Sequence, residues 1–440
     1  MIDPRRARAA AGLTALGLAA LAYAFREPLP GRLRAGMGIA AFLLLVVACS
    51  SNVGAIRWRT VAWGFGLQLV LALLILNVSF GGVRPGYEAF SAVAAVATRF
   101  LDFTNAGSTF VFGVLADPAA MGEVFPNGLV LAFSTLPVII FASAVFTVLY
   151  HLGVLQLGVR LMARGMMPLM GTSGAETLAA AANVFMGQTE APIIVRPYIP
   201  KMTRSELLAL MTGGLATIAG SMFVVYINLG ADPVAMLTTG VMAAPCGLYL
   251  SKILLPETET PATAGHARVD IGRPHVNVID AAAGGAADGM RLAINVAAVL
   301  IAFLALVAMV DHGLGLLRPG LSLAGVFAVV FAPVAALVGV PAADVPIVAD
   351  LLGTKLVATE FVAYLKLTGD YQGVVSERGH VLSTYALTGF ANLGSIGILL
   401  GGIGGMAPER RGDLARLGSR ALLAGFTATL INASIAAVLL

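Results

Sequence analysis

Long apolar runs separated by short polar stretches make up most of this chain. A helix that spans a membrane needs about 20 apolar residues. The runs that approach this length cover residues 9–25, 35–50, 60–79, 128–150, 205–228, 233–254, 292–311, 320–340, 381–402 and 419–440. The stretch 87–113 differs, because it is apolar on one face and carries Glu88, Arg99 and Asp102 on the other. It predicts an amphipathic helix at the membrane surface.

The composition supports a polytopic membrane protein. Of the 440 residues, 58% are hydrophobic and 11% are charged, whereas soluble domains carry roughly 25% charged residues. Spanning segments of this length predict an all-α fold, because a helix satisfies its own backbone hydrogen bonds in lipid. The net charge of +4 gives no support for nucleic-acid binding. The two cysteines provide no disulfide framework and no metal-ligand spacing.

One motif occurs twice. Thr189-Glu190 recurs 170 positions later as Thr359-Glu360. The block Gly-Φ-Ala-polar-Φ, where Φ is an apolar residue, occurs at 214–218 and again 175 positions later at 389–393. Duplicated, interrupted apolar segments with polar tips are typical of the substrate site of a secondary transporter.

Each Thr-Glu pair lies in an apolar hairpin that is too short to cross the membrane twice. In the first, about 170–200, we expect a helix from Gly171 to Met186, an interruption at 187–189, and a second helix with Thr189 as its N-cap. The second, about 343–368, repeats this plan with Thr359 as the cap. Broken helices expose backbone N–H and C=O groups, which are tolerated only where they line a cavity or are buried.

The two acids favour a functional interpretation, because carboxylates inside a membrane are costly and usually functional. Complementing a helix dipole is the simpler alternative for both. For Glu176, structure and function are equally supported. Asn392 and Ser395 are three residues apart and share a helix face, and Thr217 and Ser221 hold the related positions in the first half. Such residues either bond neighbouring helices or form the site, and the paired hairpins favour the site.

Several segments resemble the concentrative nucleoside transporter family. The matching segments are Gly187-Gln188-Thr189-Glu190-Ala191-Pro192 with Arg196-Pro197-Tyr198, Met242-Ala243-Ala244-Pro245-Cys246, Glu360-Phe361-Val362-Ala363-Tyr364, and 389–397. The similarity runs from about Ser50 to the end of the sequence, with the motifs in the family's order. The resemblance implies inverted repeats with two re-entrant helical hairpins in an eight-helix core, to which one extra N-terminal helix is added here. It also implies a homotrimer in the bacterial inner membrane.

The resemblance also divides the chain. Residues 1–34 hold the extra transmembrane helix, whose end at Ala22-Tyr23-Ala24 resembles a signal-peptide cleavage site, although we expect it to stay uncleaved. The remaining segments are scaffold helices with the amphipathic helix (35–168), the first transport repeat (169–255), a polar linker with an interfacial helix (256–290), scaffold helices (291–342) and the second transport repeat (343–440).

Residue roles follow from the same resemblance. It implies that Gln188, Thr189 and Glu190 contact the nucleobase, that Glu360, Asn392 and Ser395 hold the ribose hydroxyls, and that Phe390 lies nearby. Sodium would be bound at Asn183, Met186, Thr217 and Ile218. Sodium prefers oxygen ligands, which Asn183 and Thr217 offer from side chains and Met186 and Ile218 from the backbone. The pairing of Gly187-Gln188 with Thr217-Ile218 resembles members that accept both purine and pyrimidine nucleosides.

The resulting hypothesis is a sodium-coupled nucleoside importer of the elevator type. It is a symporter without a cofactor, and it acts on nucleosides and sodium in a lipid bilayer. A proton-coupled importer of the same family is the nearest alternative. From other classes, a membrane enzyme that uses Glu190 and Glu360 as acid and base stays open, as does a passive channel. No Walker sequence is present, so we expect no ATP hydrolysis.

Overall fold

The computed structural model describes residues 4–117, 120–121, 131–264 and 275–440. These residues form helices, with one isolated β-bridge between Phe80 and Val83. The helices up to the middle of the chain are α1 Pro4–Ala24, α2 Gly31–Ala48, α3 Trp58–Leu76, α4 Pro85–Phe112, α5 Leu131–Ser134, α6 Leu136–Leu152, α7 Val154–Met170, α8 Gly174–Ala182, α9 Ala191–Ile194, α10 Arg204–Ala216, α11 Gly220–Asn228 and α12 Pro233–Leu254. The rest are α13 Val278–Leu317, α14 Leu323–Val330, α15 Ala332–Val338, α16 Val345–Val357, α17 Glu360–Thr368, α18 Glu377–Leu387, α19 Leu393–Met406 and α20 Arg411–Leu439.

Short 3₁₀ turns connect some of these helices. They lie at Val53–Ala55, Gly113–Ala116, Arg196–Lys201, Ala342–Asp344 and Pro408–Arg410. Among the described residues, eight helical segments are long and apolar enough to cross a membrane: Pro4–Ala24, Gly31–Ala48, Trp58–Leu76, Ala132–Leu152, Arg204–Asn228, Pro233–Leu254, Val278–Leu317 and Pro408–Leu439. The all-α membrane fold predicted from the sequence is therefore confirmed.

Three of the predicted spans contain a break in the helix, although Arg204–Asn228 as a whole is still long and apolar enough to cross a membrane. The run 205–228 breaks between α10 and α11, 320–340 breaks between α14 and α15, and 381–402 breaks between α18 and α19. Apolar composition alone cannot distinguish these segments from continuous helices. The start of the run 128–150 lies outside the described residues, and its helix α6 begins at Leu136.

The run 292–311 belongs to a much longer helix. Helix α13 has 40 residues, so the boundary expected at residue 290, between an interfacial helix and a span, falls inside one continuous helix. Two glycines explain how its first half packs. A Cβ on Gly285 would lie 2.6 Å from Oγ1 of Thr147, and one on Gly289 would lie 2.7 Å from Cα of Ile140. Because glycine lets the two backbones approach closely, α13 continues along α6 without a break.

Side-chain caps define where many of these helices begin. Ser173 and Thr203 each form a capping box with the glutamate three residues later, at the starts of α8 and α10. Single caps from Asp232, Asn277, Ser322, Thr359, Ser376 and Asn392 start α12, α13, α14, α17, α18 and α19. Each cap satisfies a backbone N–H that the first helical turn leaves without a partner.

Helix α12 connects two groups of packed helices. Helix α6 packs along α13 on one side, and α4 contacts α6, α11 and α12. On the other side, α2 packs on α20, α3 on α12, and α10 on both α12 and α20. The predicted amphipathic segment forms the single helix α4, whose Phe103, Phe110 and Val111 are exposed.

Candidate functional site

The first hairpin is shorter and more irregular than the sequence indicated. Its first arm, α8, ends at Ala182 rather than at Met186, and turns without regular helix extend from Asn183 to Glu190. Thr189 is not the N-cap of the second arm: Glu190 holds that position, and its side chain makes no capping bond. The prediction of a Thr189 cap was therefore wrong. The second arm has only four residues before Arg196-Pro197 turns it into a 3₁₀ segment, because prolines remove the hydrogen bonds that an α-helix needs.

The second hairpin matches the prediction closely. Helix α16 ends at Val357, and Oγ1 of Thr359 accepts a hydrogen bond of 3.3 Å from the backbone N–H of Val362. This is the N-cap predicted for Thr359, and it places Glu360 in the first turn of α17. The positive end of the helix dipole therefore faces the Glu360 carboxylate.

The two breaks that follow the hairpins pack against each other. The backbone of Gly389 has φ +151°, a value that residues with a side chain rarely adopt. A Cβ there would also lie 3.1 Å from the carbonyl oxygens of Leu215 and Ala216. The backbone N–H of Phe390 donates to the carbonyl of Thr217 at 3.1 Å. The glycine of the second Gly-Φ-Ala-polar-Φ block is thus required both for its backbone conformation and for this close approach.

A chain of hydrogen bonds joins both hairpins through these breaks. Nε2 of Gln188 lies 3.4 Å from Oγ of Ser395, whose backbone N–H donates to Oδ1 of Asn392 at 2.8 Å. Nδ2 of Asn392 donates to Oε2 of Glu360 at 3.0 Å, and the hydroxyl of Tyr226 donates to Oε1 at 2.9 Å. All five side chains are at least nine-tenths buried. We call this set, Gln188, Tyr226, Glu360, Asn392 and Ser395, the central network.

Asn392 therefore acts differently from what its spacing suggested. It does not share a helix face with Ser395 but is the N-cap of α19, and its amide bridges the helix start and the Glu360 carboxylate. The residue lies outside the helix because the break extends from 388 to 392. One oxygen of the network is still available: Oε1 of Gln188 is buried and has no hydrogen-bond partner among the described residues.

Three of the predicted substrate residues lie beside this network rather than in it. Thr189 packs on α19, where a Cβ on Gly402 would lie 3.0 Å from its methyl group. Glu190 is exposed in the single chain, and its Oε2 accepts from the backbone N–H of Gly187 at 3.1 Å. Phe390 is held by its backbone bond to Thr217. The structure thus brings Gln188, Glu360, Asn392 and Ser395 together, while Thr189, Glu190 and Phe390 lie at the hairpin tip and the break.

Asn183 and Thr217, two of the predicted cation ligands, both lie against Gly213 at the end of α10. Asn183 is 1% exposed, and neither Oδ1 nor Nδ2 has a hydrogen-bond partner in the described part of the chain. Its amide lies against the last turn of α10, because a Cβ on Gly213 would be 2.7 Å from Nδ2. Oγ1 of Thr217 donates to the carbonyl of the same Gly213 at 2.9 Å. Met186 and Ile218 are buried, in the first hairpin and in the first break respectively.

An unpaired buried amide beside the C-terminal end of a half-helix fits a cation. The last turn of a helix exposes carbonyl oxygens and carries a partial negative charge. A buried polar group that lacks a partner costs free energy, and an oxygen-seeking ion would remove this cost. The donor set of Asn183 and Thr217 consists of neutral oxygens, as sodium prefers.

Two polar residues that the sequence did not single out belong to the site. Tyr226, in α11, supplies the second hydrogen bond to Glu360, and its ring stacks on Tyr364 with 4.5 Å between ring centroids. Lys355, in the last turn of α16, is completely buried. A tyrosine inside an apolar run gives no signal of its own. Lys355 does carry one, because an ionisable side chain in a membrane segment is costly, and its position five residues before Glu360 suggests that the two charges are close.

Comparison with known proteins gives the family of this chain. Three family models together match most of the chain: the N-terminal part of the Na+ dependent nucleoside transporters at 37–115, a nucleoside recognition "gate" domain at 132–233, and the C-terminal part of the same transporters at 235–437. The hairpin break of the first repeat lies in the gate domain, and the second repeat lies in the C-terminal part.

Individual proteins show the same similarity. Sodium/nucleoside cotransporter 1 of Mus musculus is 42% identical over 93% of this chain, and the human protein of that name is also 42% identical. The chain spans 64% of the length of the mouse protein. An uncharacterized transporter of Haemophilus influenzae is 42% identical, and the match covers 96% of its length.

Solved structures extend the likeness to three dimensions. A structure of CNTnw in an inward-facing substrate-bound state matches 92% of this chain and 98% of its own, with a TM-score of 0.86 and 40% identity. An outward-facing structure of a CNTnw variant matches with a TM-score of 0.87 and 39% identity. Sequence motifs, family models and fold therefore agree, and the chain belongs to the concentrative, sodium-dependent nucleoside transporter family.

Proposed function

We propose that this protein is a sodium-coupled nucleoside importer. The observation that carries the proposal is the central network, in which the buried Glu360 carboxylate is held by one side chain from each half of the chain, Tyr226 and Asn392. Gln188 of this network lies against Gly214, next to Gly213, which the Asn183 amide contacts. That amide has no hydrogen-bond partner among the described residues. A polar chamber built from both repeats, with a cation site next to it, is the arrangement that a symporter needs.

For the nucleoside, we propose that Glu360 accepts hydrogen bonds from ribose hydroxyls. An ionised carboxylate has about four acceptor positions, and two of them are used by the Tyr226 hydroxyl and the Asn392 amide. The remaining positions suit two neighbouring hydroxyl groups. Oε1 of Gln188, which has no partner within the described residues, can accept a hydrogen bond from a base edge. Thr189, Glu190, Phe390 and Ser395 complete the proposed contacts.

For the ion, we propose sodium bound between Asn183, Thr217 and the backbone carbonyls of Met186 and Ile218. Sodium would order the irregular segment 183–190 by binding the amide oxygen of Asn183, which has no partner in the described part of the chain. Since Gln188 lies in this segment, the ion would improve nucleoside affinity, and the nucleoside would improve ion affinity by the same factor. Both purine and pyrimidine nucleosides are proposed as substrates.

For the movement and the assembly, we propose an elevator mechanism in a homotrimer in the bacterial inner membrane. Helices α4, α6 and α13 would form the static part, because α13 packs along α6 and exposes large apolar residues such as Ile301 and Leu317. Those exposed faces suit contact with lipid and with neighbouring copies. Native mass spectrometry of the purified protein tests this part, and a monomer as the main species would contradict the trimer.

The first experiment is uptake of radiolabelled uridine and adenosine into proteoliposomes at fixed pH, with and without an inward sodium gradient. Accumulation above the external concentration only with sodium is the expected result. Asn183→Ala should abolish the sodium dependence, and Glu360→Gln should abolish uptake. Accumulation driven by a proton gradient alone would keep nucleoside import but reject sodium. Equilibration without accumulation would indicate a channel, and recovery of a modified nucleoside would indicate an enzyme.

A further inference from the structure

Lys355 is a completely buried charge in the second repeat that the proposed function leaves unused. Its ammonium is completely buried and donates to the carbonyl of Ala386 at 2.8 Å and to Oγ1 of Thr429 at 2.9 Å. It also lies 5.2 Å from the centre of the Phe426 ring. Among the described residues it forms no ion pair, although an unpaired buried charge is costly. We therefore expect the Lys355 ammonium to have a role that offsets this cost.

The surroundings of the ammonium repeat those of the proposed sodium site. Ala386 lies in the last turn of α18, directly before the break at 388–392. In the first repeat, Asn183 lies against Gly213, in the last turn of α10, directly before the break at 217–219. Both sites therefore lie where the first arm of a hairpin meets the C-terminal end of a half-helix, an end that attracts cations.

The sequence shows how the two repeats differ at this place. With the offset of 170 residues between the Thr-Glu pairs, Asn183 corresponds to Gly353, and Phe185 corresponds to Lys355. The second hairpin thus lacks the amide that could bind an ion and carries an amino group two positions later. A Cβ on Gly353 would lie 2.4 Å or less from Phe327 atoms, so this position has no room for an asparagine.

We propose that the Lys355 ammonium is a tethered cation, which occupies in the second repeat the place that an exchangeable sodium ion occupies in the first. It satisfies the carbonyl at the end of α18 and compensates the charge of Glu360, which begins the other arm of the same hairpin. The second repeat then needs no ion from solution, and one sodium accompanies each nucleoside. The proposal deepens the proposed function: the parallel with the first repeat rests on sodium binding there, whereas the role of the ammonium at the Ala386 carbonyl is tested separately.

The test replaces the tethered cation with a free one. Lys355→Ala removes the ammonium and leaves space beside the Ala386 carbonyl, whereas Lys355→Met removes the charge but fills the space. In proteoliposomes, we expect Lys355→Ala to take up uridine only at raised sodium. Its sodium activation should become sigmoidal, with a Hill coefficient that rises from about 1 towards about 2, the number of ion sites. Methylammonium chloride should restore uptake at low sodium in Lys355→Ala but not in Lys355→Met.

Thr429→Val is the matched control. It removes one hydrogen bond of the ammonium but keeps the charge, so its Hill coefficient should stay at about 1. Calorimetric titration of the purified variants with uridine gives a readout that is independent of transport, and thermal unfolding shows that each variant is folded. A folded Lys355→Ala with hyperbolic sodium activation and the uridine affinity of the wild type would overturn the proposal.

The same data separate this inference from the proposed function. If the wild type takes up uridine without sodium, the sodium site of the first repeat is rejected. The tethered cation is then judged by uridine binding alone: methylammonium must restore affinity in Lys355→Ala and must not restore it in Lys355→Met. Absence of this rescue overturns the inference whatever the coupling ion is.

Discussion

Tyr226→Phe tests whether the central network holds the Glu360 carboxylate in its binding orientation. The substitution removes only the hydroxyl that donates to Oε1 at 2.9 Å and keeps the ring that stacks on Tyr364. A hydrogen bond to a charged group contributes about 1.5–3 kcal/mol. This bond also exists without ligand, so only the share of its free energy that orients the carboxylate for the nucleoside contributes to affinity. Taking that share as about 1.4 kcal/mol predicts a loss of about tenfold in nucleoside affinity.

The assay is calorimetric titration with uridine in saturating sodium, followed by uptake to obtain KM. Tyr249→Phe is the matched control, because it removes a hydroxyl that is equally buried but donates to the neutral Gln68 at 2.8 Å. We expect the control to change uridine affinity by less than about threefold. A Tyr226→Phe variant that is folded and binds uridine as tightly as the wild type would refute the role given to this hydroxyl.

Three further substitutions probe the ion site, the second hairpin and the buried charges of the first repeat. Gly213→Ala places a methyl group 2.7 Å from Nδ2 of Asn183, so the sodium concentration for half-maximal uptake should rise about tenfold or more, with an unchanged value counting against the site. Thr359→Ala removes the cap of α17 and should destabilise the hairpin by about 1 kcal/mol, measured as a lower midpoint of thermal unfolding together with a higher uridine KM. Glu176→Gln breaks the ion pair of 2.6 Å to Lys252 but leaves Lys252 paired with Glu257 at 3.4 Å, so the free energy of unfolding should fall by about 1.5–3 kcal/mol. A lower unfolding midpoint with unchanged uridine KM would show that Glu176 is structural, whereas a sodium-dependent change in KM would give it a functional role.

The sequence predicted the hairpins because they carry signals that a continuous helix would not tolerate. A Thr-Glu pair inside an apolar run, followed in one case by a proline, matches the pattern of a helix N-cap and places a carboxylate in the membrane at a cost in free energy. The N-cap predicted for Thr359 is confirmed by its hydrogen bond from the backbone N–H of Val362. In the first hairpin the same reasoning failed at the level of single residues. The arm ends at Ala182, because Asn183 and the following residues turn towards α10 and α19. Tertiary contacts therefore set the end of this helix, and the local helix propensity of the residues does not predict it.

The breaks inside the predicted spans could not be seen in the same way. Residues 388–392 contain no proline, and the apolar pattern continues across them. Their interruption depends on Gly389, whose conformation is fixed by contact with Leu215 and Ala216 from the other repeat. Tyr226 was missed for a related reason, since its partner Glu360 is 134 residues away. Both features depend on contacts between the two repeats, which the sequence pattern of one repeat does not indicate.

The hydrogen bond from the Phe390 N–H to the Thr217 carbonyl has a consequence for how such a protein can diversify. It connects a residue proposed to bind the ion with one proposed to lie at the nucleoside, and it uses only backbone atoms. No substitution at either position, short of proline at 390, can remove the donor or the acceptor. A substitution at 390 that adapts the site to a different base would therefore leave this backbone link between the nucleoside and the driving ion in place.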